Sequence, residues 1–262
     1  MDLNGSRPGG RSHSGRREIV PEINVLIPRN NLMPSSTLVL LAYDEIAALQ
    51  VLFDRIPFAL VDEAFAVDGG STDGTVEFLR SKGVPVFSQE KKGRGEAFRI
   101  AVDRATGEHI VFFSPDGNED PADIPRLLAL LQNGADLAIA SRFLPGARNE
   151  EDEAALPFRK WANRAFTAAA NACWGGSLTD AINGYRAIAK SAFRRLRLDA
   201  QGYTIEYQMS IRALKLGLTV AEMPTIEGNR IGGKSRSSSI PTGLAFLRLL
   251  WRELMLGKDF DR

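Results

Sequence analysis

The sequence predicts an α/β domain, a mostly parallel central sheet flanked by helices. Three observations carry this. Short apolar, β-rich segments recur between residues 36 and 141. Segments of helical pattern separate them, and Gly, Asp and Ser cluster where strands hand over to helices. Continuously apolar strands joined by helices of about ten residues are the mark of βαβ units in a sheet buried on both faces. Right-handed crossovers place the strand-to-helix turns at one edge of that sheet, where ligands bind.

The elements follow in order. "STLVLLAY" (Ser36–Tyr43) is the first strand, and "DEIAALQVLFDRI" is helical. "EAFAVD" (Glu63–Asp68) is the second strand, leading to a helix over Thr75–Ser81 that Gly83 ends. "VPVFSQ" (Val84–Gln89) is the third, followed by a helix from about Gly95 to Ala105. "HIVFFS" (His109–Ser114) is the fourth. "DPADIPRLLALLQNG" then reads as a helix with Asp120 as N-cap, Pro121 at its first position and Gly134 past its end. "ADLAIAS" (Ala135–Ser141) is the fifth strand. Beyond it come a long helix over Ala155–Gly175 with Pro157 in its first turn, a short strand in "AINGYRAIAK" and a helix over Thr204–Gly217. A strand in "LTVAEMPTIEG" and a C-terminal helix in "IPTGLAFLRLLWRELMLG" complete the chain.

Composition narrows the function. The 262 residues are 44% hydrophobic and 25% charged, as in an ordinary globular protein with a core. A net charge of +1 gives no overall field toward nucleic acid, and the basic residues are scattered among acids. No run approaches the roughly 20 apolar residues that span a membrane. Residues 1–20 are rich in Gly, Ser, Arg and Pro and read as a disordered basic tail. The single cysteine, Cys173, forms no internal disulfide; it reads as a buried thiol in an apolar helix and suits a reducing, cytoplasmic setting.

The richest stretch is "AFAVDGGSTDGTVEFLRSKG". Asp68 ends a strand at the ligand edge, and Gly69 and Gly70 permit a sharp turn and a close approach by a flat ligand. A plain strand-to-helix turn uses the same residue types, so the stretch alone leaves both readings open. Lys92 and Arg94, in a glycine-containing loop that opens a helix, offer positive charge to a phosphate, or else belong to a solvated loop.

A second acidic turn, "FFSPDGNEDPADIPRL", ends the fourth strand, and "LAYDE" follows the first. With the Asp68 turn these resemble three motifs of glycosyltransferase family 2, in the branch of the dolichyl-phosphate mannosyltransferases and related polyprenyl-phosphate sugar transferases. "KKGRGEAFRIA", "ASRF", "DAINGYRAI" and "NRIGGKSR" continue the resemblance in order, over roughly Leu38 to Arg252. It implies a single GT-A-type domain, here residues 36–256, that binds a nucleotide-sugar donor at the carboxyl edge of its sheet.

Sugar transfer makes three demands. The base and ribose must be held, which suits Tyr43, Glu45 and Asp68; the resemblance gives Asp68 an imino N–H of uracil or guanine. The leaving diphosphate must be neutralised, and the family uses Mg²⁺ or Mn²⁺. Its ligand positions carry Asp, Asp and Gln; here they are Ser114, Asp116 and Asn118, so the first carboxylate is missing and Asp116 and Asn118 remain. Glu119 and Asp120 either contribute or cap the next helix. Arg230 is the implied diphosphate partner, with Lys234 and Arg236 on the same loop. The acceptor must then be bound. A hydroxyl needs a general base, for which Glu206 is available, whereas a phosphate is already an anion and needs cations. Arg142, Arg159 and Asn163 match the branch that holds a lipid phosphate, and Asp180 and Arg186 are placed to buttress them.

The expectation is an inverting hexosyltransferase using a GDP-mannose or UDP-glucose type of donor and a polyprenyl or dolichyl phosphate. The alternatives are a hydroxyl acceptor, or a nucleotide-sugar-binding protein with little turnover. The C-terminal helix shows only a narrow polar face at Arg248, Arg252 and Glu253. It suits core packing, a homodimer contact or a peripheral place on a membrane.

Overall fold

The computed structural model describes residues 35–149, 158–232 and 239–258, together with residues 1 and 260. The basic tail expected over residues 1–20 lies, beyond Met1, outside the described residues, as do Pro157, Lys234 and Arg236.

Seven strands form one sheet in the order β3-β2-β1-β4-β6-β5-β7. They are β1 (Ser36–Ala42), β2 (Glu63–Asp68), β3 (Val86–Ser88), β4 (His109–Phe113), β5 (Leu137–Ser141), β6 (Arg186–Ala189) and β7 (Val220–Pro224). Only β6 runs antiparallel to its neighbours β4 and β5; the other pairs are parallel. The expected mostly parallel sheet is thus present, and the reversal has a consequence for the site. The carboxyl ends of β1, β2, β4, β5 and β7 share an edge with the amino end of β6, so the loop before Arg186 joins theirs.

Strand pleating sorts the core into two layers. Val39, Leu41, Phe65, Phe112 and Ile139 face one side, against α3 (Arg94–Arg104), α6 (Lys190–Leu196) and α7 (Ile205–Lys215). Leu38, Leu40, Ala66, Val111 and Phe113 face the other, against α1 (Ile46–Leu52), α2 (Thr75–Ser81) and α4 (Ile124–Gln132). A third cluster joins α7 to α5 (Phe158–Trp174) and α8 (Ser239–Leu256) through Ala170, Tyr207, Ile211, Phe246 and Leu249.

Several boundaries differ from the sequence reading. The third strand shortens to Val86–Ser88, because Pro85 has no N–H for a ladder. The first helix ends at Leu52 and tightens into a 3₁₀ turn, Phe53–Arg55, before Pro57. Asp120 does cap, accepting from Ala122 N at 3.1 Å, but it caps a 3₁₀ turn, Pro121–Asp123, that feeds α4. Helix α6 had no place in the sequence reading.

Two burial expectations are corrected. Cys173 is exposed, because α5 turns only residues such as Thr167 and Ala170 inward and leaves its alanine-rich side uncovered. Glu253 is not on a polar outer face of α8. It is fully buried, where Arg212 Nη2 (2.9 Å) and Lys215 Nζ (2.7 Å) of α7 donate to it. No helix among the described residues is long and apolar enough to cross a membrane.

Candidate active site

A cavity of about 880 Å³ opens at the carboxyl edge of the sheet, within the size range of small-molecule sites. The ends of β1, β4, β5 and β7 contribute to its wall. Tyr43 and Glu45 follow β1; Ser114, Asp116, Asn118 and Glu119 follow β4; Arg142 follows β5; Glu227 and Arg230 follow β7. Asn183 and Gly184 enter from the loop before β6, Arg94 and Glu206 from the first residues of α3 and α7, and Arg159 and Asn163 from one face of α5. Phe158, Phe166, Ile182, Tyr203 and Phe246 supply an apolar wall.

The β4 and β7 loops are held against each other by backbone. Ile231 N donates to Asp116 O at 2.9 Å, and Gly228 N donates to Asn118 O at 2.8 Å. Such close approach needs glycine. Gly117 has φ +96°, and a Cβ there would meet Ile231 Cγ1 at 2.8 Å; a Cβ on Gly228 would meet Gly117 O at 2.6 Å. The contact delivers Arg230 onto the acidic turn. Its Nη1 donates to Asp116 Oδ2 at 2.8 Å, and its Nη2 donates to Glu45 Oε1. Asp116 Oδ1 accepts from Asn118 N at 3.0 Å, which fixes the turn.

Glu119 folds back onto the end of β4. Its Oε2 accepts from Ser114 N at 2.6 Å. Burial and the nearby Asp116 charge push its carboxyl well above the usual carboxylate range, against the pull of Arg94. Arg94 is ion-paired to Glu206 and lies 3.4 Å from the Ser114 hydroxyl. Burial alone would lower its guanidinium, but Glu206, with Glu119 and Asp116 beyond, raises it.

On the β5 side, Arg142 Nε and Nη2 donate to Asp180 at 2.7 and 3.1 Å, and Arg142 Nη1 lies 3.6 Å from Glu227. Asp180 has no exposure. Burial works to raise its carboxyl, and Arg142 outweighs that and holds it below the ordinary value. Glu222 of β7 anchors the same loop by accepting from Thr179 N at 2.7 Å and Asp180 N at 2.9 Å. Beneath lies Arg186, fully buried, whose Nε donates to Asn183 O at 2.8 Å. Burial lowers it to about 10 in spite of Glu206 and Asp180.

Of the residues singled out from sequence, Tyr43, Glu45, Arg94, Asp116, Asn118, Arg142, Arg159, Asn163 and Arg230 all line this cavity. Asp68 and Lys92 do not. Asp68 turns its carboxylate into its own loop, accepting from Gly70 N at 2.9 Å and Ser71 N at 3.2 Å. Gly69 makes room for the Tyr43 ring, whose Cγ a Cβ would meet at 3.2 Å. Lys92 is exposed on the loop before α3. Lys234 lies outside the described residues. Glu227 and Asn183 were missed; the signal available was their position just past β7 and just before β6. His109 is buried at the start of β4, on the opposite edge.

The oxygen donors of the β4 turn fit a hard divalent cation. Asp116, Asn118 and Glu119 all line one cavity, and a guanidinium already sits on Asp116 in the place of a positive charge.

An acidic turn, an arginine on it and a basic, apolar-walled far side define a nucleotide-sugar type of α/β transferase site. Residues 37–197 match the family model "Glycosyl transferase family 2". The chain belongs to that family, a family of transferase enzymes. Among curated relatives, the glycosyltransferase AglJ of Haloferax volcanii is 32% identical over 63% of this chain and 54% of its own length, so the chain spans about half of that protein. The undecaprenyl-phosphate mannosyltransferase of Micrococcus luteus is 28% identical over 79% of this chain and 89% of its own. These likenesses put the chain in the polyprenyl-phosphate mannosyltransferase-like branch. Among solved structures, the glucosyl-3-phosphoglycerate synthase of Mycobacterium tuberculosis in complex with Mn²⁺ and UDP-glucose has a TM-score of 0.63. It is 22% identical, with 86% of this chain and 79% of that chain covered, which supports the GT-A fold.

Proposed function

We propose that this chain transfers a hexose from a nucleotide diphosphate sugar, of the GDP-mannose or UDP-glucose type, to a polyprenyl phosphate. One observation carries the reading: a single cavity joins the acidic turn at Asp116 to Arg142, Arg159 and Asn163, with Phe158, Phe166 and Phe246 beside them. The acidic end suits a metal-bound diphosphate, the arginines suit a phosphate acceptor, and the aromatic wall suits the first isoprene units behind it.

Asp116 and Asn118 would hold Mg²⁺ or Mn²⁺ against the diphosphate oxygens. When bound, the ion neutralises charge on the leaving group. Arg230 would then shift from Asp116 toward the diphosphate and share that task, with Lys234 on the same loop. Tyr43 and Glu45 would hold the nucleoside; Asp68 would join them only if its loop reopened, and Lys92 is a weaker candidate than Arg94. Arg142, oriented by Asp180, and Arg159 would clamp the acceptor phosphate, whose anionic oxygen attacks the anomeric carbon without a base. A hydroxyl acceptor is disfavoured because Glu206, the available base, is committed to Arg94.

The outer face of α8 supports peripheral contact with a lipid surface. Leu244, Leu247, Trp251, Leu254 and Met255 are exposed along it, and Phe158 and Trp161 are exposed on α5. Phe158 also lines the cavity, as do Thr242, Gly243 and Phe246 of α8, so the apolar surface is continuous with the acceptor side of the site. Arg248 and Arg252 flank the stripe and suit anionic headgroups. The test is incubation of the full chain with Mn²⁺, GDP-mannose or UDP-glucose, and a short polyprenyl phosphate, followed by mass spectrometry for the glycosylated lipid phosphate. Glycolipid is the expected product; transfer only to hydroxyl acceptors overturns the acceptor assignment.

A further inference from the structure

The acidic turn carries Ser114 where a second carboxylate would serve a divalent cation, yet a carboxylate reaches the same place from another position. Glu119 curls back so that Oε2 accepts from the backbone amide of Ser114 itself, at 2.6 Å. Glu119 lines the cavity beside Asp116 and Asn118. The Ser114 side chain also meets this carboxylate, so residue 114 holds it through both amide and hydroxyl. The neighbouring Asp120 does not line the cavity, and its Oδ1 caps Ala122 N and meets Arg55.

We propose that Glu119 supplies the second carboxylate of the divalent-cation site, with Asp116, in place of the side chain that Ser114 lacks. The inference rests on the metal-assisted transferase reading above. The Ser114 amide orients the carboxylate toward the cavity, where its remaining lone pairs would serve the ion. Hard cations gain affinity with each anionic oxygen a site provides, so a Glu displaced five residues from Ser114 compensates for the loss of charge there. The ion would relieve the mutual repulsion of the Asp116 and Glu119 charges, and Arg230 would leave Asp116 as it enters.

The test is Mn²⁺ titration of the full chain by electron paramagnetic resonance, with UDP and with GDP in separate series. The variants are Asp116→Ala, Glu119→Gln and the double variant Ser114→Asp/Glu119→Gln. Glu119→Gln is expected to weaken Mn²⁺ binding by about tenfold or more, the scale seen even for groups one step removed from a metal. The double variant, which returns a carboxylate to the turn, is expected to recover most of it. If Glu119→Gln also lowers the metal-free melting temperature, the double variant decides: recovery supports the role and continued weak binding overturns it. If Asp116→Ala abolishes Mn²⁺ binding and Glu119→Gln binds like the unaltered chain, the inference falls and the metal reading stands. If the unaltered chain binds no Mn²⁺ with either nucleotide, both fall.

Discussion

Arg230 Nη1 donates to Asp116 Oδ2 at 2.8 Å, joining residues 114 positions apart in the chain. The same guanidinium reaches Glu45, so one cation ties the ends of β1 and β4 to the loop after β7. In the proposed donor complex a metal-bound diphosphate would take its place on Asp116. Arg230→Ala should therefore lower kcat/KM for transfer by about 10²–10³-fold, the scale of a lost charge-stabilising donor. Mn²⁺ affinity of the nucleotide-free protein should stay the same or rise, since a competitor for Asp116 is gone. Steady-state kinetics beside a Mn²⁺ titration check both halves; parallel loss of the two would contradict this account of Arg230.

The placement of Arg230 depends on Gly117. Its φ of +96° and the 2.8 Å approach of Ile231 Cγ1 to a Cβ built there leave no room for a side chain. Gly117→Ala should cost about 1–3 kcal/mol of stability. Nucleotide binding should weaken with it, because the β7 loop must move off the acidic turn. Thermal denaturation with and without UDP or GDP measures the two effects.

Much of this was legible in the sequence. Strands such as "STLVLLA" are buried along their whole length because both faces of the sheet are covered, so their apolar runs show no alternation. The turns after β1, β4 and β5 announced themselves by charged residues at strand ends. Other features stayed hidden, each for its own physical reason. Asp68 looked like a ligand residue, and only the fold of its own loop, with Gly70 and Ser71 donating to it, shows the carboxylate engaged. Glu253 looked like part of a polar face, because Arg212 and Lys215, which bury it, stand on another helix. Helix α6 is seven residues, three of them cationic, one a serine and three apolar, too short for periodicity to speak.

The Arg142–Asp180 pair sets a pH limit. The folded carboxyl of Asp180 lies below its ordinary value of 3.8. Its stabilising contribution is therefore complete above the unfolded value, about 4. It is lost as pH falls through that value toward the folded one. Asp180→Asn should flatten the acid limb of the stability curve. It should also cost up to about 3–5 kcal/mol at neutral pH, because Arg142, only 9% exposed at its side chain, loses its bidentate carboxylate and keeps the looser Glu227 at 3.6 Å. Urea denaturation from pH 3 to pH 7 checks the sign and the size.

The exposed stripe on α8 makes a separate prediction. The chain should sediment with vesicles containing anionic lipid. Leu247→Glu and Trp251→Glu should abolish this while leaving nucleotide binding intact, since both side chains point away from the cavity lining. Retained sedimentation would remove the lipid-surface reading, and loss of a dimer on sizing columns in the same variants would reassign the stripe to self-association.

The central claim is that one cavity presents a nucleotide sugar at Asp116 to a phosphate held at Arg142 and Arg159. The most direct measurement is transfer of radiolabelled hexose from GDP-mannose or UDP-glucose to a short polyprenyl phosphate, comparing the unaltered chain with Asp116→Ala and Arg159→Ala. The account predicts labelled lipid phosphate from the unaltered chain, none above background from Asp116→Ala, and a raised KM for the lipid alone in Arg159→Ala. Label appearing in the lipid at equal rates with all three proteins would contradict it.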